Sequence, residues 1–454
     1  MSDDAAAPAL SQLEAALTAN GILVPDGAVN QLLNQKEWIY PSSRVEDLLA
    51  KLNNEQLYSV FNSQHHIQSA SRLFEFLGGR RLSVVYGHKA QGKTQFLFFV
   101  LKLLQAMGEK VLFLDKTILP MRFNNQIGIN SSKFCGRFWR EDFSNIDASV
   151  TESLEQFYQH PHAKSFGDFL FALWNHILLS NARVWIIVDE VVLFETFPIQ
   201  LPEDQNLGPF KWIVTGSAGI GSWVAKRHLE MFVFDLPLFS KEECADFANK
   251  LCNSLGINLE HGIDGVPPAG IDDWLEERFG GVVGYIAEMF LEISKGNLVS
   301  QYMSSLSNRI SAIISNTAVK RHISQRELSE DWLNEIKSDE NTWSCLRDAG
   351  LCGSSPPRGV MFSLILKWLC IYASTEDKLS LVQRFRANFR TDPGLDGCLL
   401  ELEEIFKLKA NLSFQATLFT LDGQKWTPEE ILDLPPRASD LRIFQYLEDN
   451  SILD

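Results

Sequence analysis

The chain has no excess of positive charge. Lys and Arg number 41 against 57 Asp and Glu, for a formal net charge of −16. A broad nucleic-acid-binding surface is therefore weakly supported, because phosphate backbones are held by clustered cations, although a local basic patch stays open. Cysteine is scarce and odd in number, seven in 454 residues. With no C-x-x-C pair, neither a disulfide framework nor a zinc knuckle is expected, and the thiols read as reduced and packed, as inside a cell. No apolar run reaches membrane length: the richest, Val360 to Ala373, is interrupted by Lys367, so no membrane partner is expected. No secretory leader is expected either, since Met1 to Pro8 is acidic and small and reads as a disordered start. Internal repeats and low-complexity tracts are lacking as well. What remains is expected to be an intracellular chain, cytoplasmic or nuclear. At 45% hydrophobic and 22% charged it has an ordinary globular composition, with length for two or three domains.

Against these absences stands one dense stretch, Ser83-Val84-Val85-Tyr86-Gly87-His88-Lys89-Ala90-Gln91-Gly92-Lys93-Thr94. From Gly87 to Thr94 it satisfies G-x-x-x-x-G-K-[ST] in full. The short β-branched run Leu82 to Tyr86 before it reads as a buried parallel strand, and Lys93 to Met107 after it reads as a helix closed by Gly108. A strand, a glycine-bearing loop and a helix start make an anion cradle, in which backbone N–H groups and the helix dipole face a phosphate. The cradle comprises Gly87, His88, Lys89, Ala90, Gln91, Gly92, Lys93 and Thr94. Lys93 is expected to reach the β- and γ-phosphates of a nucleotide, and the Thr94 hydroxyl to ligate magnesium.

A second half of the site is expected at Val184-Trp185-Ile186-Ile187-Val188-Asp189-Glu190, a buried strand ending in two carboxylates. Open α/β sheets bind their ligands at that end of the strands. Asp189 is expected to hold the magnesium and Glu190 to orient or deprotonate an attacking water. Val111 to Leu114, Trp212 to Thr215 and Met231 to Phe234 supply three more strands. These motifs resemble ASCE-type ATPases, which place a polar residue between the two phosphate-handling strands. The resemblance implies Thr215 or Ser217 as a sensor of the γ-phosphate, and Arg227 is a candidate for stabilising transition-state charge. The succession of strands with crossovers predicts an α/β fold, a mostly parallel P-loop NTPase sheet with helices on both faces. A mostly helical lid and a C-terminal α or α+β region are expected to follow.

Four regions are expected: a helical N-terminal region at 1–60, the P-loop core at 61–235, the lid at 236–300, and a helical or winged-helix-like region at 301–454. Asn62 to Phe76 reads as an amphipathic helix. It opens on two surface histidines, His65 and His66, where many P-loop ATPases contact adenine. Residues Pro120 to Thr151 lose all periodicity and read as an insertion. Ser240, with Glu243 three positions on, reads as the N-terminal cap of a lid helix. Arg384, Arg386 and Arg390 form a small basic cluster near the C-terminal end.

The pairing of Leu236-Pro237-Leu238-Phe239-Ser240-Lys241-Glu242-Glu243 with Phe279-Gly280-Gly281-Val282-Val283-Gly284-Tyr285 resembles the lid of AAA-related and STAND-like (ASCE) P-loop ATPases. With the two phosphate motifs and Ile213 to Ser217, this resemblance covers roughly residues 60 to 300. It implies ATP and Mg2+ as cofactors, ATP hydrolysis, and an unspecified protein partner, homo-oligomers included. Two other readings stay open: a nucleotide-gated interaction protein with negligible hydrolysis, and an ATPase serving a DNA-directed C-terminal module. A narrower likeness is to the ATPase region of crinkler effectors and retrotransposon-hot-spot proteins. It is carried by Ser83–Gly87, Val188–Glu190, Thr215–Gly219 and the tail Pro393–Leu402. A crinkler-like effector would act in a host cell. In that family a nuclease domain often follows, with a glutamate matching Glu401. No D-x(n)-E-x-K arrangement follows here, so nuclease activity is not expected.

Overall fold

Alanine and leucine dominate the first segment, and it folds as helix α1 (Asp3–Ala19), with Pro8 inside it. This corrects the expected disordered start. Ala5 to Ala7 and Ala9 are the best helix formers, and they outweigh the one ladder hydrogen bond that Pro8 cannot donate. Leu13 and Leu17 are fully buried. The computed structural model describes residues 3–33, 64–78, 82–114, 121–123, 126–128, 148–159, 183–191, 210–216, 231–260 and 267–315, with isolated positions elsewhere. The chain divides into two units, Met1–Pro237 and Leu238–Asp454.

In the first unit, α2 (Ala28–Leu33) and α3 (Gln64–Leu77) follow α1. Helix α1 packs along α3. Its C-terminal end is fastened by Arg183, which donates to the Asn20 carbonyl at 2.8 Å and the Gly21 carbonyl at 2.9 Å. The same guanidinium pairs with the Glu109 carboxylate, which also accepts from the Trp185 indole N–H at 2.9 Å. Glu109 and Arg183 each precede a strand, so this network closes the N-terminal edge of the sheet. The helices of the expected N-terminal region thus fall within the same unit as the phosphate loop.

The expected apolar runs form β1 (Leu82–Tyr86), β2 (Lys110–Leu114), β5 (Val184–Val188), β6 (Lys211–Thr215) and β7 (Met231–Asp235), with α4 (Lys93–Ala106) between β1 and β2. All five pair in parallel, in the order β2-β5-β6-β1-β7. Every residue of β1 and β5 is buried, as strands covered on both faces must be. Rings fill the layer: Phe74 meets Trp185 edge-on at 6.0 Å, and Phe96 stacks on Phe234 at 5.9 Å. The stretch read as an insertion holds a small antiparallel hairpin, β3 (Met121–Phe123) with β4 (Gln126–Gly128), and then α5 (Ala148–Gln159).

The second unit opens on α6 (Lys241–Leu255), capped as expected. Ser240 Oγ accepts from the Glu243 N–H at 3.2 Å, and Glu243 Oε2 accepts from the Ser240 N–H at 2.7 Å. Helices α7 (Ile271–Phe279), α8 (Val283–Ser294) and α9 (Val299–Ile314) follow, with α6 packed on α7 and α8, and α8 on α9. Glu288 and Arg309 pair at 2.8 Å between α8 and α9. A short hairpin, β8 (Phe419–Leu421) with β9 (Gln424–Trp426), is also described. Cys244 and Cys252 are buried and not disulfide-bonded, and burial pushes the Cys252 thiol up to about 12, which makes it an inert packing group. Arg384, Arg386, Arg390 and Glu401 lie outside the described residues. Among the described residues no helix is long and apolar enough to cross a membrane.

Candidate nucleotide site

The sheet order sets the site. Strand β6 lies between β1, which feeds the glycine loop, and β5, which ends in the acid pair. Register puts Val85 opposite Thr215 and Val214 opposite Val188. The loop, the Thr215 hydroxyl and Asp189 therefore emerge at one edge of the sheet, its C-terminal edge, where a doubly wound fold binds ligands. Asp189 is anchored there by its N–H, which donates to the Leu114 carbonyl at 2.8 Å. This is the architecture of a P-loop fold.

Around the loop, backbone conformation and space explain the glycines. Gly92 takes φ +94 at the start of α4, and a Cβ on Gly87 would lie 2.7 Å from Gln91 Oε1. Ala90 and Glu190 both adopt the left-handed region, at φ +67 and +55. Non-glycine residues rarely sit there, at a cost of order 1 kcal/mol each, and such strain clusters where sites are built. Helix α4 starts without a side-chain cap and without an acid in its first turn. A helix start of this kind, facing a glycine loop, suits an anion.

Lys93 is buried and donates to the loop's own carbonyls, Gly87 O at 3.0 Å and His88 O at 2.8 Å. Burial pulls its ammonium down to about 8, against the carboxylates of Glu190 and Asp189, which hold it up. Lys89, exposed on the same loop, adds a smaller lowering. Thr94 Oγ1 donates to Asp189 Oδ2 at 2.8 Å across 95 positions of sequence. A hydroxyl and a carboxylate brought together this way offer oxygen ligands suited to a hard cation. Magnesium at phosphate sites is usually held by one or two protein groups together with the phosphates. Among the described residues no cluster of three or more His, Cys, Asp or Glu is present.

The remaining expected residues divide. The buried Thr215 hydroxyl donates to the Val85 carbonyl at 2.7 Å, so its single proton is spent on the neighbouring strand. Arg227 and Ser217 lie outside the described residues. The pair read as surface histidines is corrected: His65 is buried, and the His66 ring packs edge-on against Phe99 at 5.8 Å and near Phe96 at 6.5 Å. The first turn of α3 faces the aromatic side of α4. One contact had no sequence signal. Gln91 Nε2 donates to the Leu236 carbonyl at 2.5 Å, 145 positions away.

No family model matches the chain, and no curated protein matches it. Among solved structures the chain is similar to the Walker-type ATPase PABY2304 of Pyrococcus abyssi, with 12% sequence identity and a TM-score of 0.39, over 84% of this chain and 96% of that one.

Proposed function

We propose that the chain binds ATP with Mg2+ on the loop Gly87–Thr94 and hydrolyses it, in the manner of an AAA-related or STAND-like ATPase that couples nucleotide state to a protein partner. The observation that carries this reading is the 2.8 Å hydrogen bond from Thr94 to Asp189. It joins a glycine loop with a buried lysine to a strand-end acid. Thr94 and Asp189 would hold the metal, which neutralises charge on the phosphates. Lys93 would leave the Gly87 and His88 carbonyls for the β- and γ-phosphate oxygens, a charge-assisted exchange of partners. The N–H groups at the start of α4 would take phosphate oxygens as well. Glu190, turned by its left-handed backbone at the end of β5, would accept a proton from water as the water oxygen attacks the γ-phosphorus. The bond to the bridging oxygen then breaks, leaving ADP and inorganic phosphate.

The narrower crinkler-like reading draws no support from the fold, since its tail residues lie almost wholly outside the described ones. The test of the proposal is ATP affinity by calorimetry, with phosphate release measured on the same preparation. Micromolar binding that requires Lys93, with release that requires Glu190, supports the reading. Binding without release leaves a nucleotide-gated interaction protein.

A further inference from the structure

A buried carboxamide lies beneath the phosphate loop. Gln91 is 3% exposed. Its Oε1 accepts from the His88 N–H at 2.6 Å, and its Nε2 donates to the Leu236 carbonyl at 2.5 Å. Leu236 directly follows β7 and precedes Pro237, the last residue of the first unit. Its own N–H donates to the Tyr86 carbonyl at 3.0 Å. Both backbone groups of Leu236 are therefore tied to the segment 86–91, one by continuing the β1–β7 pairing and the other through Gln91.

The surroundings fit a brace. Gly87 leaves room for it, since a Cβ there would meet the Gln91 carboxamide. His88, which Gln91 holds by its N–H, also offers the carbonyl on which Lys93 rests at 2.8 Å. Displacing Gln91 thus displaces the seat of the ammonium. An apolar side chain could fill the same volume, but it cannot present an acceptor to one segment and a donor to another as a carboxamide does. Burying one is costly unless both ends are satisfied.

We propose that Gln91 is a positioning residue that couples the connector at Leu236 to the phosphate loop, so that polyphosphate binding and the backbone of Leu236 respond to each other. The proposal rests on the nucleotide reading of the loop. Coupling of this kind is reciprocal: if the loop's occupancy steadies Leu236, the state of the connector sets phosphate affinity.

The experiment uses the full chain with ADP as probe, in native protein, Gln91→Leu and Gln91→Glu. ADP affinity is measured by calorimetry, and hydrogen exchange is followed over residues 232–240 with and without saturating ADP. In native protein, ADP slows exchange at the Leu236 amide. Gln91→Leu binds ADP roughly tenfold more weakly, the scale of one lost buried hydrogen bond, and its Leu236 exchange no longer responds to ADP. Gln91→Glu keeps an acceptor for the His88 N–H but, ionised, has no donor for Leu236, and it too loses the response. A merely structural glutamine would lower the melting temperature of both variants and leave the ADP response in place, which would overturn the proposal. So would native protein that binds ADP without any change at Leu236. Native protein that binds no ADP would instead overturn the nucleotide reading beneath it.

Discussion

Helices α4 and α6 begin in opposite ways. At α6, Ser240 and Glu243 satisfy each other's backbone N–H groups, and Glu242 and Glu243 set negative charge against the positive end of the helix. Everything there favours the helix itself. At α4, a left-handed glycine without a capping side chain stands at the cap position, the first turn carries no acid, and a buried lysine occupies that turn. A cation at the positive end of a helix, stripped of water, is unfavourable for the helix alone. It becomes favourable when a polyanion completes the site. One start is built for stability and the other for a ligand, and substitutions at the two should therefore fail in different currencies.

The largest effect is expected at Lys93. Lys93→Ala should weaken ATP binding by roughly 100-fold or more, since a charge-assisted contact to phosphate is lost, while the protein stays folded. Calorimetry and circular dichroism on one sample check both halves. Unchanged affinity would erase the contrast between the two helix starts. Next comes Glu190→Gln, which should slow phosphate release about 100-fold, the usual scale of general-base catalysis, and leave ATP affinity close to native.

A pH dependence sharpens the comparison without any ligand. The Lys93 ammonium sits at about 8 in the folded chain against an ordinary 10.5. Between those values the unfolded chain binds the proton and the folded chain does not, so stability rises with pH across that window and is flat below it. Relative to Lys93→Met, native protein should gain about 1 kcal/mol per pH unit from pH 8 upward, read by chemical denaturation. A difference that stays level would place the amine in water. The smallest effect belongs to α6. Ser240→Ala should cost about 1 kcal/mol of stability, seen as a lower melting temperature, with ATP affinity unaltered.

Much of this was legible in the sequence because local patterns carried it. The strands β1, β5 and β6 are apolar runs ended by glycine, acid or hydroxyl, and parallel strands buried on both faces need no partner to be recognised. The cap at Ser240 is likewise a four-residue affair. What could not be read depends on contacts between distant segments. Nothing in Gln91 announces Leu236, and nothing in Thr215 announces that its proton is taken by Val85. His65 and His66 look like a polar helix start until α3 is laid against Phe96 and Phe99. Asp3 to Pro8 looks unstructured because acid, alanine and proline are weighed without the leucines that bury α1. Left-handed backbone at Ala90 and Glu190 has no sequence signature at all, since neither residue type favours it.

The most direct test of the account is an ATP titration of native protein and Asp189→Ala, each with magnesium and with the metal chelated. The hydrogen bond from Thr94 to Asp189 marks where loop and acid strand meet. Magnesium should therefore tighten ATP binding to native protein by roughly tenfold or more, the scale set by adding one charge-assisted contact, and should do so far less in Asp189→Ala. Equal magnesium dependence in the two proteins, or no ATP binding to native protein at all, would contradict it.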